Sequence, residues 1–268
     1  MSKLCIAHLS DTHILRNYQQ SGFFDNIQLR ITPDNFVASG LEKLAKYQPD
    51  ILTITGDLVH EGNADDYRYL KELIQKYLGN IPVFYALGNH DIKKEFYRGI
   101  LDLEDDSPYF KSEDYQGYRI ISIDTAKELD PNGSIDEKQL AWLEEELKTP
   151  SKNGSIFLAH HPIKSTQTWY QVYFQEKLTS ILKNSDVFLY LCGHAHFNDQ
   201  REIEKVKQFT AESFAFGVEG EGDQVIYTEA RGFNIYWIEN QDVICHNKQL
   251  FPYKDTLYLF QSVEDSLN

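Results

Sequence analysis

Positive charge is in short supply in this sequence: 26 lysines and arginines stand against 41 aspartates and glutamates, a formal net charge of −15. So acidic a surface repels a phosphate backbone and argues against a protein built to bind duplex nucleic acid. A small anionic substrate is still allowed, provided the site brings its own positive charge. Cysteine is sparse too. The three present, Cys5, Cys192 and Cys245, are odd in number and widely spaced, so no disulfide framework is expected. Cys5 and Cys192 lie in apolar runs and read as buried, reduced thiols. No apolar run approaches the roughly 20 residues that span a bilayer, so no membrane partner is expected. The stretch MSKLCIAHLSDTH lacks the apolar segment and small-residue cleavage site of a secretory signal, which points to the cytoplasm. Internal repeats, low-complexity tracts and Pro-rich linkers are missing as well. One domain over 1–268 is expected, with a core over 1–200 and a β-rich accessory part over about 201–268.

What is present supports a packed core, with 41% hydrophobic and 13% aromatic residues. Apolar runs at 3–9, 50–56, 82–88, 119–124, 155–160 and 186–193 are nearly continuous, as in strands buried on both faces. Helical spacing recurs between them, at 32–47 (Val37, Leu41, Leu44), 64–78 (Tyr67, Leu70, Leu73, Ile74, Leu78) and, more weakly, 170–183. A further helix over 134–148 buries Leu140, Leu143 and Leu147 and opens on Ser134 and Glu137, read as a capping box. The alternation predicts an α/β domain over 1–196. Beyond Phe197, residues 201–224 are polar and contain glycine, and three later runs (GFNIYWIEN, QDVICHN, TLYLFQSV) read as short strands. The connection over 13–32 shows no periodicity, and long loops of this kind tend to carry function.

The polar residues that follow the apolar runs are the informative ones. They are Asp11-Thr12-His13, Gly56-Asp57, Gly88-Asn89-His90-Asp91, His160-His161-Pro162 and Gly193-His194-Ala195-His196, and they hold six of the nine histidines. Loops at the carboxyl edge of an open α/β sheet converge on one crevice, so these residues are expected to meet. Asp11/His13 and His194/His196 are spaced i, i+2, which in an extended segment aims both side chains the same way. Carboxylate oxygen with imidazole nitrogen suits zinc, iron or manganese better than magnesium or calcium. Seven or more candidate ligands exceed the needs of one ion, so two divalent transition-metal ions are the economical reading. The glycines before Asp57, Asn89 and His194 fit turns that bring backbone close to a site.

The ordered set Asp-x-His, Gly-Asp, Gly-Asn-His-Asp, His-x-Pro and Gly-His-x-His, over residues 11–196, resembles the calcineurin-like metallophosphoesterase superfamily. Within it, SIDTA…LDPNGSIDEKQLAWLEEEL is similar to the bacterial class III cyclic-nucleotide phosphodiesterase branch. The resemblance implies a four-layer α-β-β-α sandwich with two central mixed sheets, the C-terminal strands completing a sheet or forming a small cap. It implies hydrolysis of a small-molecule phosphate ester by two ions (Mn, Fe or Zn) that share a hydroxide nucleophile. A cyclic nucleotide or glycerophosphodiester is the expected substrate. A phosphomonoesterase or nucleotide pyrophosphatase on the same core is the alternative, and a silent interaction scaffold a further one. Carried over by motif, Asp11, His13 and His196 hold one ion, Asn89, His160 and His194 the other, and Asp57 bridges them. His90 corresponds to the catalytic histidine, with Asp91 placed to fix its tautomer. His60, Asn89 and His161 are the candidate substrate contacts. His60 stands where the family usually has Asp or Asn, and it either meets phosphate or metal or faces solvent. His161 is either a support for the ligands or structural. A cap in this branch also implies a homodimer.

Other residues have plainer readings. His8 reads as a hydrogen-bonded core residue, His246 as structural, and Asp124 as a loop organiser. The aromatic stretches at 23–30 and 168–174 read as packing or oligomer contacts. Arg16, Arg30 and Arg201 are candidate phosphate contacts that sequence does not place.

Overall fold

The computed structural model describes residues 3–27, 29–166, 176–221, 224–251 and 255–261. In chain order, β1 (Leu4–Leu9) leads through a short helix α1 (Gly22–Asn26) to α2 (Pro33–Leu44) and β2 (Ile51–Thr55). Then come α3 (Ala64–Leu78), β3 (Val83–Ala86), α4 (Lys93–Phe96), β4 (Lys111–Tyr115) and β5 (Tyr118–Ser122). Helix α5 (Glu137–Glu146), β6 (Ser155–Leu158), α6 (Glu176–Lys183) and β7 (Val187–Cys192) complete the alternating part. The remainder is all strand: β8 (Asp199–Ile203), β9 (Val206–Thr210), β10 (Gly217–Glu221), β11 (Gln224–Thr228), β12 (Arg231–Glu239), β13 (Asp242–Phe251) and β14 (Thr256–Gln261).

Two large mixed sheets run β13-β12-β1-β2-β3 and β4-β5-β6-β7-β9-β8. Strands β1, β2 and β3 are parallel to one another, as are β5, β6, β7 and β9. The alternation of side chains along a strand explains why the sheets stack. Leu4 and Ile6 of β1 pack with Ile156 and Leu158 of β6 in the layer between the sheets. Cys5, Ala7 and Leu9 face the other way, toward Val37, Leu41 and Leu70 of α2 and α3. Phe157 and Ala159 likewise face Leu140, Leu143, Leu178 and Leu182 of α5 and α6. The result is the expected four-layer sandwich, and truncating one of these fully buried leucines to alanine costs about 2–5 kcal/mol.

Both fates foreseen for the last strands occur. β12 and β13 extend the first sheet, where Leu4 of β1 pairs with Ile238 of β12. β10, β11 and β14 form a small antiparallel sheet of their own. β8 to β11 arise in the stretch read as polar, and β4 is likewise unforeseen because it is a largely exposed edge strand. A buried ion pair, Arg231 Nη2 to Glu229 Oε2 at 3.2 Å, ties this region to the 13–32 connection. Arg231 Nη1 donates to the Ile31 carbonyl at 2.8 Å, and the Arg30 amide donates to Glu229 Oε1 at 2.7 Å.

Two expectations need correction. Helix α5 is capped by Asp136, whose Oδ1 accepts from the Gln139 amide at 2.7 Å. Ser134 is engaged elsewhere, its amide donating to Thr125 O at 2.8 Å, so the Ser134–Glu137 box does not form. The helix read over 170–183 is seen as α6 from Glu176 on; the rest of it, with the 168–174 aromatic stretch, lies outside the described residues.

Candidate metal centre

The residues after β1, β2 and β3 of one sheet, and after β6 and β7 of the other, meet at one edge of the sandwich. The segments after β1 and β2 are zipped together by their backbones: Asp11 N to Gly56 O at 3.0 Å, His13 N to Asp57 O at 2.9 Å and Ile14 N to Leu58 O at 3.0 Å. They are not extended. Asp11, His13, Asp57, His194 and His196 all have positive φ, between 42° and 68°. The i, i+2 side chains therefore converge through left-handed turns instead of strand alternation, a strained arrangement of the kind that concentrates at functional sites. Two glycines make room for it. A Cβ on Gly88 would lie 2.1 Å from Asp57 Oδ1, and one on Gly193 would lie 1.7 Å from Ser10 Oγ and 2.5 Å from Asp11 Oδ2.

Asp11, His13, Asp57 and His196 form one buried group of donors, and His160, His161 and His194 a second. Asp57 Oδ2 lies between the two, 3.6 Å from His13 Nε2 and 3.3 Å from His160 Nε2. On one side His196 Nε2 is 3.4 Å from His13 Nε2 and 3.1 Å from Asp11 Oδ1. On the other His194 Nδ1 is 3.2 Å from His160 Nε2. The outer nitrogens are held: His160 Nδ1 by the Thr55 carbonyl at 2.7 Å and His196 Nδ1 by the Phe216 carbonyl at 2.8 Å. Each of these contacts makes the outer nitrogen the N–H donor and turns an Nε2 lone pair inward, the arrangement metal-binding histidines use. Asn89 Oδ1 is buried with no hydrogen-bond partner, a state that ordinarily calls for an explanation. Facing nitrogens, two carboxylates and an unpaired amide oxygen fit a pair of divalent ions.

Protonation in the ion-free chain follows the same crowding. Burial holds His13 and His194 well below the usual imidazole range. Burial also opposes charge on His160, but the Asp57 carboxylate overrides it and lifts the imidazole to about 9. Asp57 itself stays well below the carboxylate range because His160 and His90 outweigh the penalty of burial.

His90 stands at the edge of a cleft of about 720 Å³, with His60, Glu61, Phe23 and Arg16 among the lining residues. Asp91 does not orient it. The Asp91 carboxylate is fully buried and taken up by the amides of Leu58, Val59 and Gly88 and by the Tyr67 hydroxyl, so it organises the turn. Glu61, which the sequence reading missed, takes that position instead. Its Oε1 is 3.0 Å from His90 Nδ1, and its own amide donates to the His90 carbonyl at 3.0 Å. His60 is only 6% exposed, so the solvent-facing alternative falls away. Its Nδ1 is 3.0 Å from His13 Nδ1, and its ring stacks on His90 with centroids 4.6 Å apart. His161 is enclosed rather than open to substrate. Its Nδ1 lies 2.9 Å from Thr125 Oγ1, its ring rests on His194, and its Nε2 is buried with no hydrogen-bond partner.

Of the arginines, only Arg16 lines this cleft; Arg30 pairs with Asp255 and Arg201 with Asp199. Phe23, read as packing, also forms part of the cleft wall, 4.7 Å from the His60 ring. His8 is a core residue as expected, bonded to Tyr236 Oη and Thr55 Oγ1. Asp124 accepts from the Tyr109 and Ala126 amides and lies 3.4 Å from Lys93 Nζ. The loop after it returns to the centre at Leu129, whose amide donates to the Asn89 carbonyl at 2.8 Å.

A family model described as "Calcineurin-like phosphoesterase" matches residues 5–198. A probable cyclic nucleotide phosphodiesterase of Rhodococcus erythropolis is 34% identical over 202 residues, 72% of this chain and 65% of that protein. A cAMP/cGMP dual specificity phosphodiesterase of Mycobacterium tuberculosis is 30% identical over 205 residues, 72% of this chain and 62% of its own length. The match thus spans slightly less than two thirds of these relatives. A probable glycerophosphodiester phosphodiesterase of Arcobacter nitrofigilis is 28% identical over 220 residues, covering 76% of this chain and 80% of the relative. Among solved structures, a dimetal phosphatase from Danio rerio shares the fold, with a TM-score of 0.64 at 13% identity over 95% of this chain and 99% of that one. No helix among the described residues is long and apolar enough to cross a membrane.

Proposed function

This chain belongs to the calcineurin-like phosphoesterase family, and from that membership we propose that it is a dinuclear metal-dependent hydrolase of small phosphodiesters. The observation that carries the reading is the place of Asp57, one carboxylate oxygen lying 3.6 Å and 3.3 Å from histidines of two separate donor groups. Asp11, His13 and His196 would hold one ion and Asn89, His160 and His194 the other, with Asp57 shared. Nitrogen and oxygen donors in this mixture favour manganese, iron or zinc. Such a pair, when bound, supplies a nucleophilic oxygen at neutral pH and neutralises charge on the phosphoryl group.

The remaining chemistry belongs to this chain's own side chains. Glu61 fixes the His90 ring by accepting from Nδ1, which leaves Nε2 to hold the proton that the departing alkoxide needs. The Asp57 carboxylate lies close enough to favour the imidazolium form of His90 over the neutral one that burial prefers. His60 Nδ1 lies 3.0 Å from His13 Nδ1, and a proton on the His13 side of that contact would leave the His13 Nε2 lone pair directed at the centre. Phe23 and Arg16 border the space where the organic part of the ester lies. Relatives named for cyclic nucleotides and for glycerophosphodiesters both support a diester.

The test uses bis(p-nitrophenyl) phosphate against p-nitrophenyl phosphate, on metal-stripped protein before and after adding Mn²⁺. Turnover restored by the ion with the diester preferred is the expected result. Preference for the monoester moves the assignment to a phosphomonoesterase, and no turnover with any divalent ion removes the hydrolase reading.

A further inference from the structure

The mouth of the cleft carries donors that the two inner groups leave unused. His60, Glu61 and His90 each offer one ligand atom, and the three atoms lie within 4.8 Å of one another. They stand together because the segment after β2 packs on the turn after β3. The Glu61 amide donates to the His90 carbonyl at 3.0 Å, and the His60 and His90 rings stack with centroids 4.6 Å apart. All three residues line the cleft. Unlike the sealed inner donors, Glu61 and His90 reach solvent, with 45% and 28% of their side chains exposed. Among the described residues no lysine or arginine pairs with Glu61; its ion-pair partner is His90, at 3.0 Å. A proton between His90 and Glu61 supplies positive charge to that contact in the ion-free chain. A divalent cation would supply more, and would engage His60 as well.

We propose that His60, Glu61 and His90 form a further cation site, one that takes zinc, and that zinc held there silences the chain by occupying His90. The site stands apart from the phosphodiesterase reading. The silencing rests on that reading, since His90 is the group assigned to supply the proton of the departing alkoxide. Two imidazoles and one carboxylate are a donor set that zinc accepts, with a fourth position left to water. Manganese binds such sites most weakly among the divalent first-row ions, and zinc far more tightly. His60 Nδ1 is already engaged with His13 Nδ1 at 3.0 Å, so the mouth site is weaker than the inner pair and fills only in excess zinc. It stays open in manganese. The two ions therefore act in opposite senses on one protein.

The test first counts zinc, by equilibrium dialysis of metal-stripped protein followed by atomic absorption. The native chain is expected to hold one zinc ion more than Glu61→Gln or Glu61→Ala, each variant keeping the native circular dichroism. Equal counts in the native chain and both variants overturn the site. Turnover then reads the consequence. Excess zinc added to the Mn²⁺-loaded native protein is expected to lower kcat for glycerophosphoethanolamine about 10²-fold, as for loss of the proton donor, with bound manganese unchanged. The loss is smaller for bis(p-nitrophenyl) phosphate, whose leaving group needs no proton, and zinc changes the remaining turnover of Glu61→Gln little. Release of manganese, or equal loss with both esters, overturns the silencing, because zinc would then be acting at the inner donors. If the native protein turns over neither ester, the phosphodiesterase reading itself fails, and the dialysis count still decides whether the mouth holds an ion.

Discussion

The inner ring of donors and the mouth of the cleft are built on different terms. The donors are nearly sealed: Asp11 and His160 have no exposure at all, and His194 and His196 only 7%. Each is fixed by backbone, through left-handed turns, close glycine packing and carbonyl partners from other strands. At the mouth, side chains hold one another: Glu61 holds His90, His60 stacks on His90, and Phe23 rests on His60. The inner ring is set by backbone geometry and donor chemistry together, whereas the mouth depends on side chains packed against one another.

Substitutions test whether that division holds. The largest effect is expected for Asp57→Asn, which removes the shared charge: activity falls about 10³-fold, the scale of losing a preorganised electrostatic group, and the bound ion count by atomic absorption falls below that of the native protein. Next is His90→Ala, which lowers kcat about 10²-fold for an alkoxide leaving group and less for p-nitrophenolate, which leaves without a proton; ion content is unchanged. Loss of ions from His90→Ala would erase the boundary between ring and mouth. Gly193→Ala drives a methyl into Ser10 and Asp11 and weakens Mn²⁺ affinity by roughly 10- to 100-fold, read by titration of stripped protein. Glu61→Gln is the mildest: kcat drops roughly tenfold, as for loss of an orienting partner, with Mn²⁺ affinity within about twofold. If affinity falls and kcat at saturating ion does not, Glu61 belongs to the ring instead.

The same division decides what could be read from sequence. The buried donors of the ring all lie in the stretches singled out from sequence, because Asp, Asn and His stand where the apolar strands end. Their backbone was not visible, since spacing of i, i+2 looks the same in a strand and in two successive left-handed turns. Asp91 was mistaken for the partner of His90 because it follows it in sequence; the turn aims its carboxylate at Leu58, Val59 and Gly88 instead. Glu61 gave no signal, since an acid beside a histidine is common and the contact depends on how two loops pack. The helices and most buried strands were legible from periodicity, and the edge strands β4, β8 and β10 were not, because a polar edge strand and a loop share a composition.

The first sheet has a consequence for how the molecule comes into being. β1 lies between β2 and β12, and two later residues attend to its end: Phe214, whose amide donates to Ser10 O at 3.0 Å, and Ser213, whose hydroxyl donates to Asp11 O at 3.0 Å; a third, Phe216, accepts from His196 after β7. A ribosome that has just passed residue 200 has made every candidate donor and none of these supports. The donor cluster therefore lacks part of its framing until residues 213–216 are made and laid beside it.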